Sequence, residues 1–547
     1  MSEQPTGGDA VVRVLEQAGV EVVFGIISIH NLPLYDAIQR RGTLRAITSR
    51  SEAGAANMAD AYARASGKLG VVLTSTGAGA GNAMGSLVEA QTAGSPVLHL
   101  TGNIASTAHG LGRGAIHEAK DQLGMLQAVS KAAWRVPAPA AIPWTVHAAI
   151  EAALSAPRGV VSVEIPIDFQ YAAVPPLSLP PAAPPQRAPA PEAVREAAEL
   201  LANARRPLIV SGSGVIAAEA AAELRALAEA LGAGVVTSGA GRGALPEDHP
   251  LCLGNHGNSP AVHELLATVD VLLLVGTRAR PNELVDWAGR LPPVIVQIDA
   301  DPLAMGRTFP VTVPVLGDAR LALAALREAL PRDLHPDPEY AEAIAATRAV
   351  AQTALRQRMG PYTAVLDALN ARLPHDAIKV RDVTVATSAW GNRLLAIYEP
   401  RTSIHAVGGG IGQGLAMAIG AQLARPDRRV VLLVGDGGLM CNIGELACAI
   451  QERAPIVIVL FNDGGYGVLR AIQEHRLGGR HIGVDLQPPD FIRLTEAFGG
   501  WARRIGDLAQ FDGALAEALE ARCLALIELD MAAIGAPAAT FAGPPPG

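Results

Sequence analysis

At 547 residues, half of them hydrophobic and 18% charged, with 57 glycines and 40 prolines, the chain exceeds what one core supports. Domains of about 100–200 residues predict three of them. A net charge of −8 excludes the basic field that recruits nucleic acid or an anionic membrane, so small-molecule substrates are expected. Cys252, Cys441, Cys448 and Cys523 show no disulfide-rich or zinc-type spacing. The segment Met1–Gly8 lacks a basic and then apolar leader, and no apolar run nears the ~20 residues of a membrane span. A cytoplasmic protein is expected.

From Val11 to about Ile167, β-branched runs at Val22–Phe24, Val71–Leu73 and Val97–Leu100 alternate with helical stretches such as Glu52–Arg64. That alternation predicts βα units on a parallel sheet, and a first domain over 1–173. Residues 174–191 hold eight prolines, too many for a helix or a central strand, and read as an extended linker. A second α/β unit over 192–335 carries the runs Pro207–Val210, Val271–Val275 and Val294–Ile298. A charged helical connector leads to a third unit over 355–547, with strands at Ile378–Val380, Val430–Val434 and Ile456–Leu460. The fold class is therefore α/β, three consecutive domains with parallel sheets.

The strongest chemical signal is in the third unit. The apolar run Val430–Val434 stops at Gly435-Asp436-Gly437-Gly438, the carboxyl edge where ligands sit in open α/β sheets. A helix expected near Ile443 would aim backbone N–H groups at a bound anion, and glycines let a phosphate come close. After Gly437, 24 residues finish with a second apolar strand that runs into Asn462-Asp463-Gly464-Gly465-Tyr466-Gly467. Asp436 and Asp463 are hard oxygen ligands. With a backbone carbonyl, phosphate oxygens and water they would complete the octahedron that Mg²⁺ prefers. Each glycine motif alone is more often a turn than a site; the pair at this spacing is specific.

This pair resembles the thiamine-diphosphate motif of the family of acetolactate synthase, pyruvate decarboxylase, benzoylformate decarboxylase and benzaldehyde lyase, and the resemblance extends over nearly the whole chain. It implies that Asp436, Asp463 and the Gly465 carbonyl bind Mg²⁺, and that Gly437, Gly438 and Val468 donate to the diphosphate. Asp463 stands where the family often has asparagine, which keeps an oxygen ligand and adds charge. The segment Thr48 to Arg64 is similar to the family's first-domain motif and puts Glu52 at the position of the activating glutamate, which hydrogen-bonds the cofactor's pyrimidine so that its exocyclic amine can act as a base. On residues alone, Glu52 would equally suit a helix N-terminus. In the segment His405–Leu415, the likeness assigns Ile411 to prop the cofactor's bent shape and the Gly409 carbonyl to hold the pyrimidine amine. Thr76–Asn82 is similar to the loop that lines the pyrimidine pocket, which adds Asn82.

The same resemblance implies that the first domain of one subunit and the third of another share each site, hence at least a homodimer, with a homotetramer common. Phe24-Gly25-Ile26-Ile27-Ser28-Ile29-His30 lacks the aspartate that pyruvate decarboxylases carry where Ile29 stands, while His30 aligns with a benzaldehyde lyase histidine. Ile116-His117-Glu118 places His117 where relatives have a glutamine. Two imidazoles that titrate near ~6.5 suit proton transfer at a substrate oxygen, so His30 and His117 are the acid–base candidates, with His99, Asn103 and Glu118 close by in sequence. Gly212-Ser213-Gly214-Val215-Ile216-Ala217 matches a dinucleotide fingerprint, but no acid ends the next strand at Val235–Ser238; FAD is possible there and an empty remnant is favoured. The expected reaction is ligation or cleavage of 2-oxo acids, aldehydes or acyloins, with decarboxylation alone as the alternative. From other classes come a non-catalytic cofactor-binding scaffold subunit and a flavin-dependent oxidase. The tail Pro544–Gly547 reads as disordered.

Overall fold

The computed structural model describes residues 5–280, 283, 284 and 287–535; the expectation for the tail falls outside them, as does part of the segment Met1–Gly8. Three apolar, β-branched groups of strands form three six-stranded sheets, and every pairing between named strands is parallel. Across the first sheet the order is Arg45–Thr48, Val22–Gly25, Gly70–Thr74, Val97–Asn103, Val160–Pro166, Ala132–Arg135. The third sheet repeats that order of connection with Ser403–His405, Ile378–Arg381, Val430–Gly435, Val457–Asn462, Ala525–Asp530 and Trp501–Ile505.

The middle sheet is wired differently: Val313–Leu316, Val294–Asp299, Val271–Val275, Pro207–Ser211, Gly234–Thr237, Cys252–Gly254. Numbered within its own domain this is the doubly wound order of dinucleotide-binding folds, with its reversal between Pro207–Ser211 and Val271–Val275. Residues 174–190, rich in proline, form neither helix nor strand.

The middle domain has one core of its own, whereas the first and third each have their own and share another between them. Phe24, Met58, Tyr62 and Leu87 are buried in the same apolar cluster as Ile378, Met417, Leu432 and Ile458. The seam is a pair of small-residue helices, Glu52–Ser66 and Gly414–Ala424, whose backbones nearly touch. A Cβ on Gly420 would lie 2.1 Å from the Met58 carbonyl, so glycine is required for that approach. Among the described residues, no helix is long and apolar enough to cross a membrane.

A candidate active site in two halves

In the third domain, the strand Val430–Gly435 is buried along its whole length and passes directly into the helix Asp436–Cys441. A helix does begin close to the expected Ile443, at Glu445–Gln451, and a further short one precedes it, starting on the aspartate itself. Gly435 in extended backbone caps it, and Gly437 and Gly438 can take the first turn because nothing bulky has to fit: a Cβ on Gly437 would sit 2.7 Å from the Tyr466 ring.

Asp436 is buried, and neither carboxylate oxygen has a partner within the protein. Burial first, and the neighbouring Asp463 carboxylate second, push its carboxyl well above the usual range; burial raises Asp463 too. Two neighbouring carboxyls raised in this way are a candidate cation site. Among the described residues no cluster of three or more His, Cys, Asp or Glu could hold a metal, so a divalent ion here needs main-chain and diphosphate oxygens as well. The Gly465 carbonyl lies beside this helix start, 3.3 Å from where a Gly437 Cβ would be. Gly465 itself is held by a bridge to Asp485, and Gly467 leaves room for Asp463 Oδ2, which would lie 1.8 Å from a Cβ there. Val468 is the second residue of the helix Gly467–Leu477. The orphaned oxygens and the bare first turn fit a magnesium diphosphate.

Asp382 sits at the end of the strand Ile378–Arg381 and accepts from the Gly412 and Gly414 amides at 3.1 and 2.8 Å. It thereby fixes the loop that presents Ile411, which is 42% exposed for an apolar residue, and Gly409, whose φ of +81° suits glycine. Asn442 donates to the Gly412 carbonyl at 2.6 Å and ties that loop to the Asp436 helix. Sequence reading missed Asp382 and Asn442. A lone acid at a strand's carboxyl end was the available signal for the first.

The first domain supplies the other half. Glu52 opens its helix behind the N-cap Ser51, whose hydroxyl accepts from the Gly54 amide, so it does favour a helix N-terminus as well as a site. Its Oε2 accepts from Asn82 Nδ2 at 3.1 Å, and Oε1 lies 3.0 Å from where a Cβ on Gly79 would be, next to Ser75. Ser75 joins the histidines: its hydroxyl accepts from Ser28 at 2.8 Å and meets His117 Nδ1 at 3.4 Å. The His30 and His117 rings are 5.4 Å apart. His30 is buried with its Nδ1 unpartnered, and burial, then His117, lowers its pKa. His117 has a φ of +63°, a strained value for a residue with a side chain, and its carbonyl packs against Gly77. His30, Glu52, Asn82 and His117 thus converge on one sheet edge. His99 does not: it lies inside the sheet between Thr74 and Ser162. Glu118 caps the Ala115 amide, and Asn103 accepts from the Ile104 amide and, at 3.5 Å, from Thr76 Oγ1.

Gln122 was overlooked. Buried, it accepts from the Gly77 amide at 2.6 Å and Thr76 Oγ1 at 2.7 Å, and donates to the Gly102 carbonyl and Glu164. It pins the loop that carries Ser75 to two further strand ends.

At the reversal point of the middle sheet lies a cavity of about 750 Å³, bordered by Gly212, Gly214, Gly276, Arg278, Asp299 and the first domain's Arg158. The strand Gly234–Thr237 still offers no acid.

The chain thus combines three α/β domains with a carboxylate that opens a helix on the first and a paired-carboxylate, glycine-lined helix start on the third. Comparison gives the family. Residues 5–125 match the thiamine pyrophosphate enzyme N-terminal TPP binding domain, 194–326 the central domain and 384–529 the C-terminal TPP binding domain. The chain is 36% identical over 540 residues to a probable 2-ketoarginine decarboxylase of Pseudomonas aeruginosa, covering 96% of this chain and 94% of the relative. It is 31% identical over 520 residues to a probable acetolactate synthase large subunit of Methanocaldococcus jannaschii (91% and 87%) and 32% over 523 to the acetolactate synthase large subunit of Corynebacterium glutamicum (92% and 83%). The chain belongs to the thiamine-pyrophosphate-dependent enzymes.

Proposed function

We propose that the chain is a carboligase or lyase that makes or breaks the bond next to a carbonyl in 2-oxo acids, aldehydes or acyloins, as a cytoplasmic homodimer or homotetramer without nucleic-acid or membrane partners. The observation that carries this reading is the histidine pair, 5.4 Å apart on the same edge as Glu52. Decarboxylation, ligation and cleavage all need a proton given to, or taken from, a carbonyl oxygen, and ligation and cleavage need it at a second carbonyl as well.

When bound, thiamine diphosphate supplies a nucleophilic carbon that adds to a carbonyl and stores the electron pair of the broken bond. Asp436, Asp463 and the Gly465 carbonyl would hold Mg²⁺, with Gly437, Gly438 and Val468 donating to the diphosphate. Glu52, steadied by Asn82, would hold a proton on the pyrimidine ring nitrogen, the Gly409 carbonyl would accept from the pyrimidine amine, and Ile411 would press the two rings together. His30 and His117 would pass a proton to and from the former carbonyl oxygen, with Ser75 and Ser28 as relays.

The second reading, decarboxylation alone, is favoured by the identity to the relative named for 2-ketoarginine. Retention of Glu52 with Asp436 and Asp463 speaks against a scaffold, and a colourless purified protein would speak against a flavin oxidase. The test is product analysis by NMR and mass spectrometry with thiamine diphosphate, Mg²⁺ and a panel of 2-oxo acids, aldehydes and acyloins, with Glu52→Ala as control. Acyloins formed or cleaved by the wild type alone support the proposal; aldehyde alone moves it to decarboxylase.

A further inference from the structure

Two buried carboxylates cross the seam between the first and third domains in opposite directions. Glu445, from the helix Glu445–Gln451 of the third domain, is 1% exposed. It accepts from the Arg50 amide at 3.0 and 3.1 Å, from the Ser51 amide at 3.0 Å and from the Ser51 hydroxyl at 3.1 Å. The next residue along the chain is Glu52. Glu89, from the first-domain helix Ala78–Ala93, is 2% exposed. It accepts from the Val407 amide at 2.6 Å and the Gly408 amide at 2.7 Å, immediately before Gly409 and Ile411.

Each carboxylate enters through a glycine. A Cβ on Gly54 would lie 2.1 Å from Glu445 Oε1, and one on Gly408 would lie 2.7 Å from Glu89 Oε2. Each is secured from behind, Glu89 by Arg64 at 3.0 Å and the Glu445 end by Asn442, which faces the Ser51 hydroxyl at 3.3 Å. A carboxylate that accepts two adjacent main-chain N–H groups fixes both the position and the direction of a loop, and charge-assisted bonds of this kind are about twice as strong as neutral ones. Neither loop has a helix or strand ladder to hold those amides: Arg50 and Ser51 precede their helix, and Val407 and Gly408 lie in a turn.

We infer that Glu445 and Glu89 form a reciprocal clamp, each domain positioning the loop by which the other meets the cofactor: Glu445 sets the aim of Glu52, and Glu89 sets the aim of Gly409 and Ile411. The inference rests on the roles given above to Glu52, Gly409 and Ile411. Both glutamates are positioning residues; neither contacts the reacting atoms.

The test is hydrogen–deuterium exchange read by mass spectrometry on the full-length protein without cofactor or substrate, for wild type, Glu445→Gln and Glu89→Gln. Glutamine keeps the shape but turns one acceptor into a donor that faces an N–H. Glu445→Gln is expected to speed exchange at Arg50 and Ser51 about tenfold or more and leave Val407 and Gly408 unchanged; Glu89→Gln is expected to do the reverse. In the loaded enzyme, Glu445→Gln should lower kcat at unchanged KM and cofactor affinity, and Glu89→Gln should weaken cofactor binding. Glu445→Asp and Glu89→Asp, which keep the charge and shorten the reach, give the same comparison should a glutamine variant fold poorly. Equal acceleration of both loops in both variants, or no acceleration in either, would overturn the clamp. Because exchange is read without turnover, a wrong activity assignment and a wrong clamp are separable.

Discussion

The first and third domains connect six parallel strands in the same order, yet their functional edges are in opposite electrostatic states. On the first, Glu52, Ser75 and Gln122 find partners within the domain. On the third, Asp436 is buried with no partner at all. A buried carboxylate without a partner is costly, which under the proposed function makes that half the one for a cation and the partnered half the one that holds and passes protons.

The largest effect expected from breaking this contrast is on the proton side. Glu52→Gln should lower turnover by about 10²–10⁴-fold while Mg²⁺ and cofactor still bind, as checked by product NMR beside calorimetric titration. Loss of cofactor binding instead would move Glu52 to a structural role. On the cation side, Asp436→Asn should raise the Mg²⁺ requirement for cofactor binding by about 10²-fold or more, since even outer partners of a metal ligand are worth 10–100-fold; unchanged metal dependence would remove Asp436 from the site. His117→Ala and His30→Ala should each cost turnover about 10²-fold, with ligation or cleavage, which involve a second carbonyl, slowed more than decarboxylation of a 2-oxo acid, which product ratios would reveal.

The smallest effect concerns stability. The first-domain sheet buries His99 where the matching strand of the third domain, Val457–Asn462, is apolar as far as Phe461. Burial holds the His99 imidazole down to about 3, against an ordinary 6.5. The unfolded chain therefore takes up this proton first, so the residue's contribution is intact above 6.5 and lost as pH falls from 6.5 towards 3. His99→Gln should flatten the decline of Tm between pH 7 and pH 5 by roughly 2–4 °C, read by calorimetry; an unchanged slope would contradict the assignment.

The three-domain α/β architecture was legible because buried parallel strands are written as unbroken apolar runs, Val430–Val434 above all. So were Asp436 and Asp463, since each ends such a run beside glycines. The additional helix start at Asp436, ahead of the one near Ile443, was not, because glycine has low intrinsic helix propensity. Glu89, Gln122 and Glu445 were equally hidden, because nothing in their local sequence marks the loop each one holds, hundreds of residues away for the two glutamates and 20 to 46 away for Gln122. Asp382 had only the signal of an acid at a strand's end. The doubly wound order of the middle sheet likewise depends on pairings that periodicity does not encode.

The measurement that bears most directly on a site assembled from two halves is complementation between inactive chains. Glu52→Gln and Asp436→Asn proteins would be unfolded together, refolded as a mixture and assayed against each alone. Sites built between subunits predict recovery to about a quarter of wild-type turnover, because random pairing makes half the dimers mixed and each mixed dimer holds one intact site. Turnover that stays at the level of the separate variants, with mixed oligomers demonstrated by mass spectrometry, would contradict it and place both halves in one chain.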